Sequence, residues 1–359
     1  MSKSVFDDIS KERLYEINAK KVAVDHAAIE DKHRQLEERN RELEELDSFD
    51  IAAHNQAYVL ALSEETGDYL IRARKSKVFL NNDFRGKIPF FSRNIILAAA
   101  ETGSGKSTLS ANLTYQALLQ GQRVLVISNE ENAGDIYNRI TCLLNGWSYS
   151  DHGKFTDEQI LAFKTNIIKL SQRLTVISDS YNGKTGCTTT IEGVENLCNS
   201  LIRKNTEFDL IIFDYYQNID RSVKSPNLSE FQVQYRFCKF LDQYKNRSNA
   251  ALLVLSQKKP QIKDKELPFR ETIEGRKSIL NVATCALNVV KDVENYCTLF
   301  TIMKSRFNDS IGQTIKVGFK RGEYVPFTNE FKLEALTLRT AREQAAVMEK
   351  VNPGGRNGA

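Results

Sequence analysis

Residues 99–108 read AAETGSGKST, and this stretch decides the fold. From Ala100 to Ser107 it fits the pattern of a phosphate-binding loop, [AG]-x-x-x-x-G-K-[ST]. Ile95, Ile96 and Leu97 before it form an apolar run suited to a buried strand. The segment LSANLTYQALLQ after it places Leu109, Leu113, Ala117 and Leu118 on one helical face. A chance Gly/Ser turn has no reason to sit between such a strand and such a helix. Ala100 opens the loop, Gly103 and Gly105 let it fold tightly, and Ser104 and Thr108 complete it. The N–H groups of the loop and the start of the helix then face an anion. Lys106 supplies a compact cation for β- and γ-phosphates, and Ser107 a hydroxyl for Mg²⁺. A nucleoside triphosphate, ATP or another, with Mg²⁺ is the expected ligand.

Outward from this loop the chain alternates short apolar runs with helical segments. RVLVIS (123–128), RLTVIS (173–178), DLIIFD (209–214), ALLVLS (251–256) and ALNVV (286–290) are rich in Val, Ile and Leu. Such runs suit strands covered on both faces. Segments 134–145 and 191–204 have helical spacing between them. The fold class is therefore α/β, with a mostly parallel sheet. YCTLFTIMKSRF and TIKVGFKRGEYVPF read as antiparallel additions at one edge, with a hairpin turn at Gly322–Glu323. Residues 8–48 are charged and poor in glycine, with Ile29, Leu36 and Leu43 at seven-residue spacing. They read as a helix with a thin apolar seam. The expected organisation is a helical N-terminal region over 1–80, an NTPase domain over 81–335, and a C-terminal helix with a disordered tail over 336–359.

Composition narrows the class. The chain has 359 residues and a net charge of +4, too small to signal nucleic-acid binding unless the cations cluster. No apolar run of about 18 residues occurs, and the first twenty residues are polar and carry acids, so neither a membrane span nor a signal peptide is expected. The six cysteines include no C-x-x-C pair, which fits reduced, buried thiols in a cytoplasm and no zinc site.

The strand ends carry the chemistry. Asp214 closes an apolar strand and can hold a Mg²⁺ shell. Glu130 and Glu131 follow another strand; one is a candidate base for activating water, and the other is expected to cap the next helix. Gln257 ends a third strand, where a neutral amide can report whether a γ-phosphate is present. The loop after it is basic, with Lys258, Lys259, Lys263, Lys265, Arg270, Arg276 and Lys277 within twenty residues. Such a loop suits a nucleic-acid backbone. In KSRF, Lys304 and Arg306 alternate and point the same way if the strand persists, a pair suited to a neighbouring copy's γ-phosphate.

Taken together, these motifs resemble the RecA-like ring helicases of the DnaB superfamily, above all the helicase domain of the phage T7 type. The resemblance spans about residues 90–329, and KSRFNDSIGQ is its most specific piece. It implies a RecA-like P-loop NTPase core. Lys106 and Ser107 would bind phosphate and Mg²⁺, Glu130 would be the catalytic base, Asp214 the Walker B acid and Gln257 the γ-phosphate sensor. Arg306 would be an arginine finger acting on the adjacent subunit, with Lys304 as its companion. Phe319 and Lys291 would flank the nucleotide base. Lys259, Lys263 and Lys265 would form the DNA-binding loop, closed by Gly275, Arg276 and Lys277. The implied activity is NTP-driven translocation on single-stranded DNA through a homohexameric ring during replication. A primase or loader partner and a bacterial or phage-infected host cytoplasm follow from the same resemblance. Two other readings use the same core: a recombinase or mediator ATPase forming filaments on DNA, and an ATPase that regulates a protein partner.

Overall fold

The computed structural model of the protein describes residues 34, 59–60, 63–64, 67, 71, 84, 87–90, 92–178, 190–204, 206–214, 216–219, 227–259, 268–275, 277–337 and 340. The chain divides into two units, Met1–Lys75 and Ser76–Ala359. In the first, the described residues are helical; the seam of Ile29, Leu36 and Leu43 lies outside them. A helical run covers 329–337, and most of the tail beyond it is also outside the described residues.

Among the described residues, the second unit is built on nine strands: β1 (Ile95–Ala100), β2 (Val124–Ser128), β3 (Leu174–Ser178), β4 (Leu210–Asp214), β5 (Ala251–Gln257), β6 (Cys285–Asp292), β7 (Cys297–Ser305), β8 (Thr314–Lys320) and β9 (Glu323–Pro326). They form one sheet in the order β3-β2-β4-β5-β1-β6-β7-β8-β9. The strands from β3 to β6 in that order run parallel. The strands β7, β8 and β9 extend the edge in antiparallel fashion. This is the α/β, mostly parallel architecture expected from the alternation of apolar runs.

The helices are α1 (Lys106–Leu119), α2 (Ala133–Asn145), α3 (Asp157–Leu170), α4 (Ile191–Arg203), α5 (Glu230–Arg247), α6 (Phe269–Thr272) and α7 (Ile279–Val282). Successive β1 residues point to opposite faces. Ile96, Ala98 and Ala100 pack with Leu109, Leu113, Ala117 and Leu118 of α1. Ile95, Leu97 and Ala99 pack with Val233, Phe237 and Leu241 of α5 and Ile279 of α7. Each fully buried Leu or Phe stabilises by about 1.5–3 kcal/mol relative to exposure. Two apolar faces on one sheet therefore fix helices on both sides.

The edge hairpin differs from the sequence expectation by one residue. Lys320 pairs with Glu323, so the turn is Arg321–Gly322 and Glu323 begins β9. Both turn residues have positive φ, 50° and 91°. That is the two-residue turn whose twist matches antiparallel strands, and it places the glycine second.

One side chain of α1 holds the hairpin by hydrogen bonds. Asn112 donates from Nδ2 to Thr108 O (2.9 Å) and Gly322 O (2.8 Å), and its Oδ1 accepts from Tyr324 N (2.8 Å). A buried amide is stable only with such partners. Its buried side chain therefore fixes β8 and β9 over the start of α1.

Candidate active site

The phosphate-loop residues form the junction of β1 and α1. Gly103 and Gly105 have φ of 76° and 96°, a left-handed backbone that glycine adopts without a Cβ penalty. Gly105 is the N-cap of α1 and offers no side-chain cap, whereas Asn132, Thr156, Thr190 and Ser229 cap α2, α3, α4 and α5 with a side-chain oxygen. The amide groups opening α1 are thus left for an anion. Lys106 is buried, with 7% of its surface exposed. Ala100, Ser104, Ser107 and Thr108 lie along the same turn.

Asp214 stands at the end of β4, beside β2. Its side chain is 3% exposed, and Oδ1 is buried with no hydrogen-bond partner. Burial is the main cause that pushes its carboxyl up to about 7; Glu130 and Glu131 push it further, while Lys106 and Arg139 act against them. A buried, unpaired carboxylate oxygen is costly, and a divalent cation relieves that cost. The pair Asp214 and Ser107 therefore fits Mg²⁺.

The structure separates the two glutamates. Glu131 is bonded to Arg139 at 2.8 Å, and Arg139 lies over the Tyr149 ring at 4.6 Å. Glu130 is exposed and acts electrostatically on Asp214. Neither caps α2; Asn132 does, accepting from Asp135 N at 2.9 Å. A short amide side chain at the N-cap reaches the third backbone N–H, as capping requires. Glu130→Gln is therefore expected to lower hydrolysis by about 10²–10⁴-fold, the usual range for loss of a general base. Glu131→Gln should lower it less than tenfold, since Arg139 already occupies that carboxylate. Steady-state ATPase rates check both.

Gln257 ends β5 and its Nε2 donates to Thr102 Oγ1 of the phosphate loop at 2.7 Å. The chain then enters an antiparallel stem: Lys258 forms a bridge with Ile273, Lys259 N donates to Thr272 O (2.8 Å), and Glu274 N donates to Gln257 O (3.0 Å). Between the two arms lies the basic segment. Lys263, Lys265 and Arg276 lie outside the described residues. Lys259 is exposed, and Lys277 pairs with Glu271. Gly275 closes the stem at φ 74°, and a Cβ there would lie 2.6 Å from the Gln234 side chain on α5. Lys258 departs from the reading of a uniformly basic loop. It is 3% exposed and donates from Nζ to Asn288 at 2.8 Å. Burial lowers its pKa, opposed by Glu101.

Lys304 and Arg306 converge, though not by plain alternation. A bulge lies between the pairs Ala286–Lys304 and Leu287–Ile302. The extra residue, Met303, turns Lys304 to the face that carries α5 and α7. The strand ends at Ser305, and Arg306 N donates to Thr284 O at 2.8 Å. Lys304 Nζ then donates to Leu280 O, and Arg306 Nη2 to Asn281 O at 2.6 Å. Burial, then Arg306 and Lys245, lower the Lys304 pKa to about 8.

Phe319 and Lys291 are in direct contact, with the ammonium 5.5 Å from the ring centroid. Lys291 thus covers the ring face on which a base would stack. Phe319 also meets Tyr324 edge-on at 6.1 Å, and a Cβ on Gly105 would lie 3.8 Å from the Tyr324 hydroxyl. Phe319 is linked to the phosphate loop in this way. Thr102, Asn112 and Tyr324 carry no local sequence signal, because they meet partners distant along the chain; Arg139 meets Glu131 and Tyr149 across a turn whose geometry no short spacing records. Among the described residues, no cluster of three His, Cys, Asp or Glu side chains could hold a metal, and no helix is long and apolar enough to cross a membrane. The described cysteines are buried and none of them is in a disulfide.

Comparison with known proteins agrees with this architecture. The family model described as DnaB-like helicase C terminal domain matches residues 85–271. Among solved structures, one described as an ATPase domain aligns with a TM-score of 0.60 at 16% identity, over 79% of this chain and 100% of that one. A second, described as a DnaB-like replicative helicase and its interactions with primase, aligns with a TM-score of 0.59 at 16% identity, over 88% of this chain and 77% of that one. A search of curated proteins gives no match.

Proposed function

The chain belongs to the DnaB-like helicase C-terminal domain family and is an ATP-hydrolysing helicase, and from that premise we propose that it moves along single-stranded DNA as a ring of six copies, using ATP and Mg²⁺ at each interface. Lys106 and the amide groups opening α1 bind the β- and γ-phosphates. Ser107 and Asp214 are the residues that would hold Mg²⁺, which supplies neutralisation of charge on the phosphates. Glu130 orients water and accepts its proton. Phe319 stacks on the base once Lys291 swings off the ring. Arg306, with Lys304, completes the site of the adjacent copy.

The observation that carries this reading is the stem on β5. Gln257 touches the phosphate loop through Thr102, and its own carbonyl is bonded to the returning arm of the basic segment. A γ-phosphate that draws the Gln257 amide away from Thr102 pulls on the base of the segment carrying Lys259, Lys263 and Lys265. Cyclic hydrolysis then becomes cyclic movement of cations that grip a phosphate backbone. A primase or loader is a partner of the same reading, as is replication in a bacterial or phage-infected cytoplasm. The domain limits proposed are 1–80, 81–335 and 336–359.

The test is a forked duplex with ATP and Mg²⁺. Unwinding that requires a single-stranded tail and is abolished by Lys106→Ala is the expected result. Strand exchange on visible filaments without unwinding would move the chain to the recombinase reading.

A further inference from the structure

Gln217 belongs to none of the motifs above. It lies three residues past Asp214, on the short turn Tyr216–Asn218 after β4. Its Nε2 reaches Ser256 Oγ at 2.8 Å, Gln257 O at 3.2 Å and Glu274 O at 3.2 Å. Two of these are carbonyl oxygens, which only accept. The nitrogen end of the amide must therefore be the end that faces them. Ser256 Oγ in turn donates to Gln257 O at 3.3 Å. One side chain thus joins the strand of Asp214, the strand of Gln257 and the returning arm of the basic segment.

The arrangement is not the cheapest way to fill that space. Two amide hydrogens serve three acceptors, and Oε1 is buried with no partner. A buried polar atom left unpaired forfeits its hydration with nothing in return. An apolar side chain would pack there without that cost but would remove the link from the turn after β4 to the Gln257 and Glu274 carbonyls. Incompletely satisfied polar networks are also shallow, since no single arrangement meets every donor and acceptor. A link that must shift with the nucleotide has that property.

We infer that Gln217 is a positioning residue that ties the basic segment to the Asp214 side of the nucleotide site, so that the grip on DNA depends on which nucleotide is bound. The inference rests on the translocation reading above. Gln257 connects the phosphate loop to the stem through Thr102, and Lys258 N donates to Ala100 O at 2.9 Å beside it. Gln217 adds the strand that carries Asp214, so loss of the γ-phosphate is felt through two strands. Without it, the stem keeps its backbone bonds but the basic segment no longer follows the nucleotide.

The test uses the full chain and fluorescein-labelled oligo(dT), with anisotropy read in ADP and in a non-hydrolysable ATP analogue. The wild type should show affinities that differ between the two states by about 5–150-fold, the usual range of coupling between sites. In Gln217→Leu the ratio should fall to less than about twofold. Gln217→Glu adds a readout that a merely structural role would not move. Its neutral acid can donate one hydrogen to a carbonyl, whereas its carboxylate repels both. The ratio should therefore return as pH is lowered from 8 towards 5.5, measured against the wild type at each pH. A full wild-type ratio in Gln217→Leu, or a ratio in Gln217→Glu that ignores pH, overturns the inference and leaves the translocation reading standing. A wild type that binds no oligonucleotide in either state overturns both.

Discussion

Arg306→Ala should lower ATP turnover by about 10³–10⁵-fold, the range expected when an arginine finger is lost, while leaving the dissociation constant for ATP within a few fold. The reason is positional. The phosphate loop opens α1, which packs on one face of the sheet. The bulge at Met303 sends Lys304 and Arg306 to the other face, where they meet the Leu280 and Asn281 carbonyls. On the proposed shared site, a guanidinium held there, exposed, would meet a nucleotide bound by another copy. It would then contribute to the transition state of that copy and little to ground-state binding. Lys304 is the weaker partner, because burial and nearby cations lower its pKa to about 8, while a guanidinium stays charged across that range. Steady-state rates with equilibrium titration of a fluorescent ATP analogue separate the two quantities. Unchanged turnover would remove Arg306 from the reaction.

Asp214→Asn should abolish hydrolysis and, at pH 8, make the nucleotide-free protein more stable. Burial raises the Asp214 carboxyl from 3.8 to about 7, so the folded protein holds its proton where the unfolded chain has released it. Stability is then fully present below about pH 4 and is lost as pH rises through 7. A shift of about 3 units at about 1.4 kcal/mol each sets an upper bound near 4 kcal/mol on the penalty at pH 8. Asparagine carries no charge and avoids it. Denaturation in the presence of a chelator, at pH 8 and at pH 4, checks the sign. The variant should be the more stable at pH 8, and the difference should vanish at pH 4. A variant less stable than the wild type at pH 8 would mean that Asp214 has a partner that compensates its charge. A site that binds a divalent cation through a carboxylate it would otherwise not bury is one that trades stability for function.

The sheet was legible because its strands are buried on both faces. LIIF at 210–213 and ALLVL at 251–255 are continuous apolar runs, and strands of a covered parallel sheet read this way. The loop at 99–108 was legible because its glycines and lysine act through the local backbone. What escaped the sequence depends on partners far along the chain. Nothing in KSRF announces that Met303 forms a bulge, and without it Lys304 would face α1. Lys258 looks like one more cation in a basic run, yet its pairing beside Ile273 turns it inward to Asn288. Asn112 and Gln217 act on Gly322, Ser256 and Glu274, and no short spacing records those contacts. The turn at Arg321–Gly322 slipped by one residue because a hairpin's register is set by its backbone twist as well as by residue type.

The central claim is that each active site is shared, one copy supplying Lys106 and its neighbour Arg306. Mixing Lys106→Ala protein with Arg306→Ala protein, each inactive alone, tests it directly. At equal proportions about one interface in four joins an intact Lys106 to an intact Arg306, as expected for head-to-tail contacts. ATP hydrolysis should then appear in the mixture after subunit exchange. A mixture as inactive as its two parents would contradict the shared site.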